Sequence, residues 1–249
     1  MNNAVYAATT GMLNRAKALD VTANNLANAG TAGFKRDQLI TSTFNEQVLY
    51  RLEGDERTKV EIGADNHGAI MDELHTDASQ GLLDTTGRYL DFAIRGDGFF
   101  SVEDGAGAAG LTRNGSFHVR DDGFLVTASG EYVLGQRGRM QVGAGDITVN
   151  EAGEVTAGGN YVDTLALVIP QDSNVLVKQA DGTLNNPGGI NAAGVRGAVM
   201  QGYLERANVD MIEEMTAMVA ASRAFQSCGQ VLRILDGINQ KTVNEIGRA

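Results

Sequence analysis

Cysteine, histidine and positive charge are all scarce in this chain of 249 residues. A single cysteine, Cys228, excludes an intrachain disulfide, and three histidines at unrelated spacings exclude a zinc site built from cysteine and histidine. Lysine and arginine number 20 against 31 acidic residues, a net charge of −11. Because such a chain repels phosphate backbones, we expect no nucleic-acid binding.

Long apolar runs are also lacking, since none approaches the roughly 20 residues that span a bilayer. The first residues lack the basic start and continuous apolar stretch of a cleaved signal peptide. We therefore expect no stable membrane insertion. The chain either stays in the cytoplasm or is exported by a route that needs no cleaved signal.

A first helix is predicted over about residues 2–28, where apolar side chains recur every seven residues. The heptad positions are Val5, Met12, Leu19 and Leu26. Ala16 and Ala23 extend this stripe. Gly30 and Gly33 mark the end of the helix, because glycine adopts the left-handed cap geometry at little cost.

A second helix with the same period is predicted over about residues 209–246. Its heptad positions are Met211, Met218, Phe225 and Leu232. Cys228 falls on this seam, which favours a small packed residue over a nucleophile. Asn208 and Asp210 are both candidates for the N-cap.

Two arrangements of these helices remain open. The first and last segments can pair as a coiled coil beside a separate middle domain, or both can be ordinary amphipathic helices on one core. The coiled pair is the more economical reading of matching stripes, and with it we predict an α+β fold. The predicted domains are a terminal helical domain (residues 1–33 and 203–249), an extended connector (34–72) and a central β domain (73–202).

Glycine is concentrated in the middle of the chain, where 25 of the 32 lie between Gly63 and Gly202 and where short strand-like runs also occur. The runs cover residues 99–102, 116–119, 124–126, 132–134, 147–149, 154–156 and 165–169. Asp-Gly, Asn-Gly and Ser-Gly turn signals separate several of them. Many short strands at this spacing predict an irregular antiparallel domain.

No residue pattern amounts to an active site or a cofactor site. Residues 105–110 fit the spacing G-x-G-x-x-G, but a strand and a turn follow where a dinucleotide site needs a helix. Asp97 and Asp122 precede glycines, as in hairpin turns, and His118 has no partner base or nucleophile nearby in sequence. We therefore predict a chain with no catalytic residue, metal or cofactor.

Three asparagines near the end of the first helix, Asn24, Asn25 and Asn28, are unusual because asparagine is a poor helix former. Amides on a helix flank can fix the register between packed helices at some cost in stability. They can equally mark a helix end that frays into a loop. Both interpretations remain open at this point.

Motifs along nearly the whole chain, taken together, resemble those of the bacterial flagellar rod and hook proteins. They are ANNLAN at 23–28, TAGFK at 31–35, LDFAI at 90–94, GDGFF at 96–100, TRNGSF at 112–117 and GYLERANVD at 202–210. The positions that carry the terminal motifs are Asn24, Asn25, Asn28, Gly33, Phe34, Asn208 and Asp210. Ala207 and Gln226 depart from the usual serine and glutamate.

The resemblance implies a non-enzymatic subunit of the basal-body rod in the periplasmic space. Its partners would be copies of itself, other rod subunits in a helical tube and the flagellar export apparatus. The length and the opening residues 3–6 are most similar to a proximal-rod subunit, with a distal-rod subunit or another paralogue as the alternative. A glycan-cleaving enzyme and a secreted adhesin are the rival classes. The enzyme needs two facing carboxylates, and the adhesin does not need the terminal helices.

Overall fold

A computed structural model describes residues 2–43, 46–53, 58–66, 69–143, 145–170, 176–179, 182–186 and 197–246. Along the chain, these described residues form one helix, then twenty short strands, then a second helix. Where strand partners are resolved, every pairing is antiparallel. The predicted combination of two terminal helices and a central antiparallel β domain is therefore confirmed.

The chain divides into two compact units. Unit 1 contains residues 1–26, 37–75 and 211–249, and unit 2 contains residues 27–36 and 76–210. The chain therefore enters or leaves unit 2 at four positions.

Unit 1 contains both helices, α1 (Asn2–Ala27, but for its last residue) and α2 (Met211–Ile246). Alanine, leucine and methionine supply much of both, and Glu213 and Glu214 in the first turn of α2 suit the helix dipole. Neither described helix is long and apolar enough to cross a membrane.

Unit 1 also contains a two-stranded ribbon. Strand β1 (Asp37–Thr43) pairs with β4 (Ala69–Thr76), and β2 (Glu46–Glu53) pairs with β3 (Thr58–Asn66). The β2–β3 register runs from Glu46 opposite Asn66 to Glu53 opposite Thr58. These strands fill most of the segment expected to be an extended connector; its residues 44–45, 54–57 and 67–68 lie outside the described residues.

Unit 2 is built from the remaining short strands. They are β5 (Leu83–Thr85), β6 (Phe92–Arg95), β7 (Phe99–Glu103), β8 (Ala109–Thr112), β9 (Phe117–Val119), β10 (Leu125–Thr127), β11 (Tyr132–Gly135), β12 (Gly138–Arg139), β13 (Ile147–Val149), β14 (Glu154–Ala157), β15 (Asn160–Thr164), β16 (Leu167–Val168), β17 (Val177–Lys178), β18 (Leu184–Asn185), β19 (Ala198–Gln201) and β20 (Tyr203–Glu205). The main sheet has the order β17-β18-β8-β7-β11-β10-β9, and β12 and β16 pair at its side.

The core of unit 2 is aromatic and almost completely buried. Phe92, Phe100 and Phe117 lie together, with ring centroids 5.9 Å apart for Phe92–Phe117 and 5.3 Å apart for Phe100–Phe117. Three consecutive residues of β6, from Phe92 to Ile94, are fully buried, so this strand is covered on both faces. Two further strands, β19 and β20, bring the chain back to α2.

Candidate assembly site

The predicted heptad positions of α1 differ in burial. Met12, Leu19 and Leu26 are half-buried, whereas Val5 and Ala23 are exposed. The most buried side chains of the described part of α1 are Val21 and Asn25, which lie off the predicted stripe. Burial of this helix therefore extends beyond the seam, because its last turns also meet strand β1 through Asn25.

In α2 the pattern of burial follows the heptads closely. Met218, Phe225 and Leu232 are half-buried, and only Met211, in the first turn, is exposed. The positions three residues later include Ala221, which is buried, and Cys228, which is half-buried. One face of α2 is thus partly buried along much of its length.

Small residues lie at a contact between the two helices. A β-carbon built on Gly11 of α1 would lie 3.6 Å from the Cys228 sulfur, and one built on Gly229 of α2 would lie 3.9 Å from Cε of Met12. Both distances are ordinary van der Waals contacts. Cys228 therefore acts here as a small packed side chain, as its position on the seam predicts.

Both helices also carry exposed apolar side chains outside the buried stripe. Leu13 of α1 is 65% exposed, and Ile212 of α2 is 76% exposed. Further exposed apolar residues of α2 are Met215, Val219, Val231, Ile234, Ile238 and Val243. Exposed apolar side chains that recur along a helix in this way are typical of an interaction site.

Asn25 lies in the helix and is bound to β1. Its Oδ1 accepts a hydrogen bond from the backbone N–H of Asp37 (3.0 Å), and its Nδ2 donates to the Asp37 carbonyl (2.9 Å). The side chain is 1% exposed. It binds both backbone groups of a buried residue, so the Asn25 amide connects α1 to a strand rather than to a packed helix.

The other two asparagines have different surroundings. Asn24 is exposed within α1, whereas Asn28 follows the helix. The Asn28 carbonyl accepts from the N–H of Thr31 (3.0 Å), and its Oδ1 accepts from the Thr31 hydroxyl (3.3 Å). Asn28 therefore closes the turn by which the chain leaves the helix.

Gly33 and Phe34 lie in a tight passage in unit 2. Gly33 has a φ of +68°, and a β-carbon there would lie 2.3 Å from the backbone of Arg113 and Asn114. Only glycine fits this position. The N–H of Gly33 donates to the Glu205 carbonyl (2.7 Å), and the Lys178 ammonium lies 3.6 Å from the centre of the Phe34 ring.

Asn208 joins segments that are far apart in sequence. Its Oδ1 accepts from the N–H of Arg36 (2.7 Å), and its Nδ2 donates to the carbonyl of Asp77 (2.9 Å) and to Ser79. Because its amide is used in this way, Asn208 is not the N-cap of α2. Asp210 occupies the position directly before the first helical residue.

The residues that sequence reasoning missed form a buried ionic cluster around Glu205. The carboxylate accepts from the Lys35 ammonium (2.6 Å) on Oε1 and from the Arg113 guanidinium (2.9 Å) on Oε2. The N–H of Gly81 also donates to Oε1 (2.9 Å). All three charged side chains are at most 3% exposed. We call Lys35, Gly81, Arg113 and Glu205 the Glu205 cluster.

Burial has a clear electrostatic effect on Lys35. Desolvation lowers the pKa of its ammonium below the ordinary value of 10.5, while the neighbouring Glu205 carboxylate opposes this shift. Arg113 lowers the pKa further and Asp77 raises it, both by smaller amounts. The cluster thus contains two cations around one anion, in surroundings where an unpaired charge is costly.

Comparisons with known proteins cover both terminal motifs and the β domain. Residues 5–35 match the family described as flagella basal body rod protein, and residues 200–245 match the flagellar basal body rod FlgEFG protein C-terminal family. Residues 93–186 match the flagellar hook protein FlgE/F/G D1 domain. Over 98% of its length the chain is 33% identical to a flagellar basal-body rod protein FlgG from Bacillus subtilis, covering 99% of that protein. The chain belongs to the flagellar basal-body rod protein family.

Relatives named FlgF are similar to the chain at nearly the same level. The FlgF of Caulobacter vibrioides is 30% identical over 100% of the chain and 99% of that protein. The FlgF of Salmonella typhimurium is 31% identical over 99% of the chain and 98% of that protein. The resemblance seen in the sequence is therefore confirmed for the rod family. Relatives of both the FlgF and the FlgG type match the chain.

In this chain the Glu205 cluster joins segments that belong to three separate family matches. Lys35 ends the N-terminal match, Arg113 lies in the D1 match and Glu205 lies in the C-terminal match. Lys35 and Glu205 stand in the motifs that carry the resemblance, but those motifs are 170 positions apart. Nothing in the spacing indicates that the two side chains meet.

The features that could have suggested chemistry have structural roles. Residues 105–110 form the turn between β7 and β8 and the start of β8, and Asp104 accepts from the N–H groups of Ala106 and Ala108 (both 2.8 Å). His118 is exposed on one face of β9, and its neighbour Phe117 is buried on the other face. Among the described residues, no group of acidic, histidine or cysteine side chains has the geometry to hold a metal.

Proposed function

We propose that the chain is a structural, non-enzymatic subunit of the flagellar basal-body rod. In this role it assembles helically with copies of itself and other rod subunits into the periplasmic shaft that transmits torque to the hook. The observation that carries the proposal is the similarity to rod proteins over the whole chain, which includes both terminal helices. The exposed apolar side chains of these helices support it, because head-to-tail contacts that do not close build helical tubes.

A proximal position in the rod, as for FlgF, is our specific proposal. The alignment with the Caulobacter vibrioides FlgF spans 253 positions, close to the chain's own 249 residues, and the alignment with the Bacillus subtilis FlgG spans 265. The chain thus needs fewer insertions to follow that FlgF. A distal, FlgG-like position is the alternative, supported by the higher identity of 33%.

Imaging of basal bodies in cells that lack this chain tests the position. A rod that stops near the inner membrane, without hook and filament, is the result expected for a proximal subunit. A rod of intermediate length would favour the distal alternative. Complete rods and hooks would contradict a required role in the rod.

We propose further that α1 and α2 pair as a coiled coil through Val5, Met12, Leu19 and Leu26 on one helix and Met211, Met218, Phe225 and Leu232 on the other. The covered heptad face of α2 and the contact of Gly11 with Cys228 support this pairing. The same helices would complete their burial against neighbouring subunits.

The native Cys228 provides a direct test of the pairing. In a Gly11→Cys variant, the new β-carbon lies 3.6 Å from the Cys228 sulfur, within reach of a disulfide after a small adjustment. Mild oxidation of assembled rods should then give an intrachain bridge that is detected by gel mobility. Leu13→Cys, on an exposed part of α1, is the matched control and should not form the bridge. Equal bridging in both variants would contradict the pairing.

Export is the remaining part of the proposal. We infer that the chain leaves the cytoplasm through the flagellar export apparatus, without cleavage of a signal peptide. The support is its membership of the flagellar rod protein family. Recovery of basal-body protein that still carries the first residues of this sequence is the expected result. A shortened N-terminus would contradict it.

A further inference from the structure

Two stretches of chain flank the points where the terminal helices join unit 2. We call residues 27–36 the N-terminal junction and residues 203–210 the C-terminal junction, and both belong to unit 2. They are separated by more than 160 positions, yet they are bonded to each other and to the segment 76–82 that begins the β domain.

Backbone hydrogen bonds connect the two junctions directly. Gly33 donates to the carbonyl of Glu205 (2.7 Å), and Asn208 donates to the carbonyl of Phe34 (3.4 Å). The segment that begins the β domain joins in, because the N–H of Arg206 donates to the carbonyl of Leu82 (2.8 Å). A β-carbon on Gly81 would lie 2.1 Å from the Arg206 carbonyl oxygen, so these backbones touch.

The side chains at the centre of this contact depend on one another. Glu205, on the C-terminal junction, accepts hydrogen bonds from Lys35 of the N-terminal junction, from Arg113 of the β domain and from the N–H of Gly81. Lys35 also donates to the carbonyl of Ser79 (2.5 Å), and Arg113 donates to the carbonyl of Gly96 (2.8 Å). If the carboxylate loses its charge, two buried cations face each other without an anion.

We propose that the Glu205 cluster, with Asn208, is an interlock that makes the two junctions order and release together. In this device Glu205 and Asn208 are positioning residues, since they act on the segment where α1 ends and on the segment that precedes α2. When one junction is released, the charged side chains of the Glu205 cluster that bind the other junction lose their partners. The junctions therefore open as one cooperative unit rather than as two independent chain ends.

Amide hydrogen exchange on the purified full-length chain measures this cooperativity. The reporter amides are those of Gly33, Arg36, Gly81, Arg206 and Asn208, each of which donates across the interlock. In Glu205→Gln we expect exchange at both junctions to rise together by about 100-fold or more. The amides of β7 (Phe99–Glu103) in the core should not change.

A matched control lies beside the cluster. Arg206 and Asp84 form an ion pair of 3.4 Å whose side chains are 60% and 56% exposed. Asp84→Asn removes a carboxylate charge next to the same junction but from a solvated site, so we expect no measurable change in exchange. An effect equal to that of Glu205→Gln would overturn the interlock.

Lys35→Met keeps the proposal testable if Glu205→Gln does not fold. This variant leaves the carboxylate paired with Arg113 and Gly81, and the interlock requires faster exchange at Arg206 as well as at Gly33. Combined with Glu205→Gln, it removes one of the two unpaired cations, so the double variant should exchange more slowly than Glu205→Gln alone.

Three results would overturn the proposal. They are faster exchange at one junction alone, a uniform rise that includes β7, and strictly additive effects of the two substitutions. None of these measurements depends on assembly, so the interlock can fail while the rod function stands, and the reverse also holds.

Discussion

The terminal helices and the β domain of the same chain are stabilised in different ways. In the β domain, side chains such as Phe92, Phe100 and Phe117 are fully buried. In the described parts of the helices, only Val21 and Ala221 are buried apolar residues, whereas large apolar side chains such as Leu13 and Ile212 remain exposed. The β domain thus contains its own core, and the helices leave much of their apolar surface for partners.

The difference shows how folding of a fibre subunit can depend on one region of the chain and its assembly on another. Burial of apolar surface contributes about 25 cal/mol per Å². Because the core of the β domain is buried within one chain, this domain gains that stabilisation without a partner. The helices can gain the rest only when other subunits cover them. Substitutions in the two regions should therefore have opposite consequences for folding and for assembly.

The largest expected effect is the loss of assembly in Phe225→Asp. A charge on the predicted seam of α2 must be desolvated when the helices pack, while the core of the β domain does not contain this residue. We expect no motility and no rod in complementation assays, with unfolding of the β domain unchanged. Gln226→Asp, one position further on and exposed, should assemble normally. Motile cells carrying Phe225→Asp would contradict the seam.

Phe100→Ala should produce the reverse result. Truncation of this buried ring leaves a cavity among Phe117 and its neighbours and should lower the free energy of unfolding by about 3–5 kcal/mol. Leu13→Ala, which removes an exposed side chain from α1, should change it by less than about 0.5 kcal/mol. Denaturant unfolding of the two purified variants measures the contrast. Similar losses in both would mean that the helices contribute to the same core.

Sequence reasoning succeeded where a periodic pattern is local. The heptads predicted both helices to within about two residues, because each pattern lies within one element. Runs such as 99–102 and 132–134 became strands β7 and β11. Strands such as β12 (Gly138–Arg139) and β15 (Asn160–Thr164) were missed, since they are short or polar and owe their conformation to their partners in the sheet.

The candidate site was predicted less completely, for the same physical reason. Asn25 stood out because asparagine is unusual in a helix, yet its partner Asp37 becomes visible only in the folded chain. The Glu205 cluster joins residues about 90 and 170 positions apart. A lysine and a glutamate are ordinary surface residues in any sequence, so only their joint burial distinguishes them.

A smaller effect is expected from Asn25→Ala. The variant leaves the buried N–H and carbonyl of Asp37 without the amide that binds them, which should destabilise unit 1 by about 1–3 kcal/mol. Loss of helical signal on heating, followed by far-ultraviolet circular dichroism, measures the effect. Asn24→Ala, on an exposed position of α1, is the matched control and should melt close to the unchanged chain. Equal shifts would show that helix propensity, not the Asp37 contact, sets the stability.

The smallest expected effect is a pH dependence of stability, which arises from the buried charges of the β domain and not from its apolar core. The folded-state pKa of Lys35 lies below its ordinary value of 10.5, so between these two values the unfolded chain binds more protons than the folded chain. The free energy of unfolding should therefore rise with pH across that window. Burial lowers this pKa, and Glu205, Arg113 and Asp77 are the charged groups that act on it; other titrating groups cancel in a comparison with Lys35→Met. Denaturant unfolding at a series of alkaline pH values should show the unchanged chain gaining stability relative to Lys35→Met. A constant difference would mean that the ammonium has the same pKa in both states and that burial costs its charged form nothing.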